Sequence, residues 1–122
     1  GVMDLVLSNL SAFQFEGLGI SFFADFPYTD AVVLQNHNLV ALFIDGWSNS
    51  LDFVGKLYDF RGNEFQTIPF PPDGAGGRSN AYWYAHETPE GLRVNFHQQS
   101  GRDFGGIYSI ERKEFLSFHE AR

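Results

Sequence analysis

Asp52-Phe53-Val54-Gly55-Lys56-Leu57-Tyr58 and Asp103-Phe104-Gly105-Gly106-Ile107-Tyr108 read as two versions of one segment, and matching them decides the fold. Working outward, Glu64-Phe65 meets Glu114-Phe115 and Ala31 meets Ala81, so residues 31–68 lie over 81–118 with one short gap. The offset is 51 between Asp52 and Asp103 and 50 between Phe65 and Phe115. A period of about fifty residues marks a supersecondary unit that is repeated because one copy cannot bury its apolar face alone.

Within each copy, short runs rich in Val, Ile, Phe and Tyr alternate with turn residues, which is the pattern of strands and hairpins. The first copy has four runs, 31–35, 39–44, 53–60 and 65–70, parted by Asn36-His37-Asn38, by 45–50 and by Arg61-Gly62-Asn63. The second has 81–86, 92–97, 104–110 and 115–118, parted by Thr88-Pro89-Glu90-Gly91, Gln98-Gln99-Ser100-Gly101 and Glu111-Arg112-Lys113. From residue 27 onward nothing carries a helical period. The sequence therefore predicts an all-β chain: an antiparallel meander of two four-stranded repeats plus N-terminal strands, packed as a β-sandwich or flattened barrel. Tandem four-stranded meanders resemble blades of a β-propeller, and Leu57 to Phe65 resembles the closing hairpin of one. That resemblance implies blades completed by oligomerisation, since a ring takes about four or more.

At 122 residues, 43% of them hydrophobic and 14 of them Phe, the chain is long enough for one sizeable core. The expectation is a single domain over 1–122, with repeat 1 at about 31–70, a linker at 71–80 and repeat 2 at about 81–120. The linker, Pro71-Pro72-Asp73-Gly74-Ala75-Gly76-Gly77-Arg78-Ser79-Asn80, reads as a flexible connection. Its glycines lack the Gly-Lys-Ser/Thr ending of a phosphate loop. Upstream, 12–15 and 18–23 form a hairpin turned at Glu16-Gly17, and Met3 to Leu10 fits either a strand, the favoured reading, or a short amphipathic helix.

A net charge of −7 with only eight scattered Lys and Arg excludes a nucleic-acid backbone as partner. No run approaches the roughly 18 apolar residues of a helical membrane span. The absence of cysteine removes disulfides, thiolate metal sites and a cysteine nucleophile. No export signal is visible, so the compartment is unknown and cytoplasmic by default.

The two copies differ in their opening hairpins. Val32, Leu34, Ala31 and Val33 make both faces of the first apolar, which predicts a strand pair covered on both sides. The second alternates. A four-residue loop at 88–91 pairs Glu87 with Leu92, Ala85 with Val94 and Trp83 with Phe96. Ala81, Trp83, Ala85, Leu92, Val94 and Phe96 then face the core. Tyr82, Tyr84, His86, Arg93, Asn95 and His97 gather on the opposite face, a mixture enriched where partners dock. Trp47, in the longer loop of the first copy, is a further candidate anchor.

Catalytic spacings are missing. The four histidines form no His-x-His or HExxH motif, and no serine sits in a Gly-x-Ser-x-Gly elbow. Asp52 and Asp103, used twice at one place, read as turn-orienting acids. The expectation is a non-enzymatic binding module for a protein or small-molecule ligand, acting as a homodimer without metal or cofactor. Two alternatives stand beside it: a β-barrel carrier of a small apolar ligand, and a small hydrolase or isomerase using His86 or His97 with a tyrosine.

Overall fold

The computed structural model describes residues 13–46 and 49–120. Among them ten strands follow one another: β1 (Phe13–Gly17), β2 (Ile20–Ala24), β3 (Asp30–Leu34), β4 (Leu39–Phe43), β5 (Phe53–Asp59), β6 (Glu64–Pro69), β7 (Asn80–Glu87), β8 (Gly91–Gln98), β9 (Asp103–Ser109) and β10 (Glu114–Glu120). They form three antiparallel sheets: the hairpin β1-β2, a middle sheet β3-β4-β5-β6 and an outer sheet β10-β9-β8-β7. Both four-stranded stretches read from sequence are present, each as a meander. Among the described residues the sheets stack and none closes into a barrel.

Each interface is a continuous apolar layer. Phe15, Phe22, Phe26 and Tyr28 meet Val40, Leu42 and Tyr58 between the hairpin and the middle sheet. Leu34, Ala41, Phe43, Leu57 and Ile68 meet Tyr82, Leu92, Val94, Phe96 and Tyr108 between the middle and outer sheets. All five residues of β4 are buried, as its unalternating sequence requires of a strand covered on both faces. The hairpin is a layer of its own rather than strands completing another sheet. Its turn lies at Leu18 (φ 52°) and Gly19 (φ 77°), not at Glu16-Gly17. A two-residue hairpin turn matching strand twist needs positive φ at both positions, and Gly19 supplies one without strain.

The two larger sheets stack in the same sense. Tyr58 pairs with Val40 and Tyr108 with Leu92. Tyr58 points toward the hairpin, and Tyr108 points toward the middle sheet. Matched residues thus face the preceding layer in both cases, and the face of the middle sheet that packs on the outer sheet corresponds to the far face of the outer sheet. Counting from the two tyrosines, Ala41, Phe43, Gly55 and Leu57 occupy the ladder positions of Arg93, Asn95, Gly105 and Ile107.

At the outer strands the sequence match slips by one. Tyr58 pairs with Glu64 and Leu57 with Gln66, leaving Phe65 unpaired; Tyr108 pairs with Phe115 and Ile107 with Ser117, leaving Leu116 unpaired. Phe65 therefore corresponds to Leu116, not to Phe115, and both are exposed. The segment joining the sheets is ordered into two short 3-10 turns, Asp73–Ala75 and Gly77–Ser79. The Asn80 amide donates to the carbonyls of Ala75 and Gly77, and Arg78 donates to those of Leu51 and Asn49 while lying 4.6 Å over the Phe70 ring.

Candidate functional site

The far face of the outer sheet is built by strand alternation plus one interruption. Glu87 pairs with Leu92, His86 with Arg93 and Ala85 with Val94, as the loop length dictates. The register then shifts: Tyr84 opposes Asn95 and Tyr82 opposes Phe96, so Trp83 is an extra residue. A bulge of this kind reverses the side on which every earlier side chain emerges. Tyr82 therefore belongs to the core, 3% exposed, and not to the outward face the alternation predicts. Its ring stacks on Phe43 at 4.2 Å and 9°, and its hydroxyl donates to Asp30 Oδ2 at 2.6 Å. Burial and the Asp30 carboxylate push the phenol far above its ordinary pKa. Trp83, expected inside, is outside.

Three rows of side chains result. His86, Arg93 and Ile107 make the first, Tyr84, Asn95 and Gly105 the second, and Ala81, His97 and Asp103 the third, which the extra residue Trp83 joins by stacking on His97. Ser117 and His119 extend the first two across β10, so three of the four histidines share this face. Rows two residues apart are about 7 Å from one another.

In the third row the rings brace one another. Trp83 stacks on His97 at 4.3 Å and meets Tyr84 edge-on at 4.8 Å. His97 donates from Nδ1 to Asp103 Oδ1 at 2.6 Å. Asp103 thus orients an imidazole rather than a turn. The turn-orienting acid of the middle sheet is Asp59, whose Oδ1 accepts from the backbone of Arg61 and Asn63. Those backbone bonds, together with the Asn63 side chain, hold the Asp59 carboxyl below its usual range.

The second row is different. Asn95, read as part of the exposed patch, is 1% exposed. Its Oδ1 accepts from Arg93 Nε at 3.2 Å, and its Nδ2 is buried without a partner. Gly105 leaves the space that Arg93 occupies: a Cβ there would lie 2.9 Å from Arg93 Nη2 and 2.9 Å from Asn95 Oδ1. The guanidinium is consequently laid flat along the sheet. Of the residues predicted for the site, the structure brings Tyr84, His86, Arg93 and His97 together at the surface. Trp47 lies outside the described residues, as does the stretch Met3 to Leu10.

Sequence reading missed a second polar arrangement. His37 in the β3-β4 turn and Glu87 at the end of β7 pair at 2.6 Å, and Glu87 Oε2 also accepts from the Asn36 backbone at 3.0 Å. They clamp the middle sheet to the outer one beside a cleft of about 520 Å³ lined by His37, Pro89, Ser109, Ile110 and Leu116, among others. Only packing brings residues 37 and 87 together, so no local spacing could signal them. Between the same sheets, Tyr108 donates to Gln66 Oε1 and Gln66 Nε2 donates to the Ile110 carbonyl at 3.0 Å. Burial pushes the Tyr108 phenol up to about 12. Among the described residues no group of three or more His, Cys, Asp or Glu could hold a metal ion.

No protein-family model, no curated protein and no solved structure matches this chain.

Proposed function

We propose that this chain is a non-enzymatic binding module that docks a protein partner on the far face of its outer sheet. One observation carries the reading. Trp83 and Tyr84 stand 44% and 43% exposed on a face whose counterpart in the middle sheet is sealed by a neighbouring layer. Their rings are held in place by His97 and by each other. Braced aromatics with a polar surround are the residues that dominate interface energetics, because little side-chain freedom is left to lose on docking. A sheet face offers a broad surface, which suits a macromolecule better than a small ligand needing a concave pocket.

The partner is proposed to be a different chain rather than a second copy adding to a sheet edge. Three of the four edge strands of the larger sheets, β6, β7 and β10, carry a bulge, at Phe65, Trp83 and Leu116, and bulged edges resist strand addition. The test is affinity capture with the intact chain, followed by calorimetric titration of the purified captured protein. Wild type binds it; the Trp83→Ala, Tyr84→Ala double variant loses at least about tenfold in affinity with an unchanged melting temperature. Equal binding by the double variant removes this face as the contact surface.

A further inference from the structure

The far face also indicates what its partner brings to it. Resting on the binding reading above, we infer that Arg93 is an anchor for a carboxylate, so that the partner presents an acidic segment with an apolar or aromatic side chain beside the acid.

Four observations converge on the second row of the face. First, Arg93 is oriented: its Nε donates to a side chain that is itself 1% exposed, which fixes the plane of the guanidinium. A planar fork so held offers its remaining N–H groups to a carboxylate as a pair. Second, the charge is uncompensated. Among the described residues no carboxylate stands within ion-pair distance of Arg93, although the chain carries 15 acids and only eight Lys and Arg. Lys56, by contrast, is claimed by Asp25 and Glu64. Asp103, in the third row of the face, is engaged by His97.

Third, the bed beneath the guanidinium is open because residue 105 is glycine. Its backbone is one any residue could adopt, but a Cβ there would lie 2.9 Å from Arg93 Nη2 and 2.9 Å from Asn95 Oδ1, so a side chain would displace the arginine. Fourth, Asn95 Nδ2 is a buried donor left without an acceptor, at the position where Phe43 of the middle sheet is covered by the Tyr82 ring. An orphaned amide has a free-energy cost that an acceptor arriving from above, or a shift of the arginine toward one, relieves. A carboxylate has lone pairs for both groups. Tyr84 stands in this row and Trp83 and Ile107 border it, which places apolar surface next to the cation and selects an acid flanked by an apolar neighbour.

The experiment is to pan a displayed library of random peptides against the intact chain and against three variants. Arg93→Gln removes the charge, Arg93→Lys keeps it without the fork, and Gly105→Ala lifts the guanidinium from its bed. The wild type is expected to enrich peptides with Asp or Glu next to an aromatic or branched aliphatic residue. Synthetic copies of them should weaken about ten- to a hundredfold when the acid is replaced by its amide or when Arg93 becomes Gln. Arg93→Lys and Gly105→Ala should give intermediate losses, and the melting temperature of each variant reports that it is folded. Enriched peptides that depend on Trp83 and Tyr84 but tolerate the amide and Arg93→Gln overturn the carboxylate anchor and leave the contact face standing. Enriched peptides indifferent to all of these residues overturn both.

Discussion

The middle and outer sheets present one lattice of positions with opposite chemistry. Ala41, Phe43, Gly55 and Leu57 of the middle sheet are sealed, and the Phe43 ring lies over Gly55, whose Cβ would come within 2.6 Å of it. Arg93, Asn95, Gly105 and Ile107 occupy the same rungs in the outer sheet, and there a guanidinium lies over the glycine instead. The difference teaches that the two sheets share a ladder geometry but not a covering. Where a next layer exists the lattice is filled with hydrocarbon; where none exists among the described residues it is filled with a cation, an amide and braced rings. Repeat architectures end in a polar cap for solubility, but a cap needs neither an exposed tryptophan nor a bed shaped for an arginine.

Alkali makes the largest break in the comparison. Tyr58, Tyr82 and Tyr108 lie in covered layers, and burial raises all three phenols, Tyr58 and Tyr82 further through Asp25 and Asp30. A phenol whose folded pKa exceeds its unfolded value of about 10 contributes stability that is whole below that pH and lost as pH rises through the folded value. The protein is expected to unfold cooperatively between about pH 10 and the Tyr108 value of about 12, with tyrosinate absorbance rising in the same transition. Tyrosinate from these residues appearing well before loss of circular dichroism would show the layers are open.

Next in size is Phe43→Ala, which deletes the ring stacked on Tyr82 and should cost about 3–5 kcal/mol in urea unfolding. The paired glycines follow. Gly55→Ala meets the Leu42 carbonyl at 2.6 Å, an unyielding neighbour, and should cost roughly 1–3 kcal/mol. Gly105→Ala meets chiefly the end of a flexible arginine and should cost less than Gly55→Ala; equal losses would mean the far face is packed as tightly as the core. Smallest is Trp83→Ala, expected to shift stability by no more than about 0.5 kcal/mol, as surface substitutions usually do.

Much of this fold could be read from sequence because its signals are local. Runs such as Val40-Ala41-Leu42-Phe43 announce a strand covered twice, and Thr88-Pro89-Glu90-Gly91 fixes the β7-β8 register near the loop. The candidate site was legible only in part. Tyr84, His86, Arg93 and His97 follow from alternation on that register, while Tyr82 and Trp83 exchange sides because one bulge resets the period. Three consecutive aromatics at 82–84 were the available hint, since no simple alternation places all of them well. The burial of Asn95 goes with the Arg93 side chain lying back across it over Gly105, which alternation along the strand does not reveal. The Phe65 and Leu116 bulges displaced the repeat alignment for the same reason.

The most direct test of the contact face is an amide chemical-shift map of the labelled chain saturated with its captured partner. The perturbed residues are expected to centre on Tyr84, Arg93, His97 and Ile107. Perturbations centred on the cleft beside His37 and Ser109, or on the hairpin around Phe23, with the outer sheet unmoved, would contradict it.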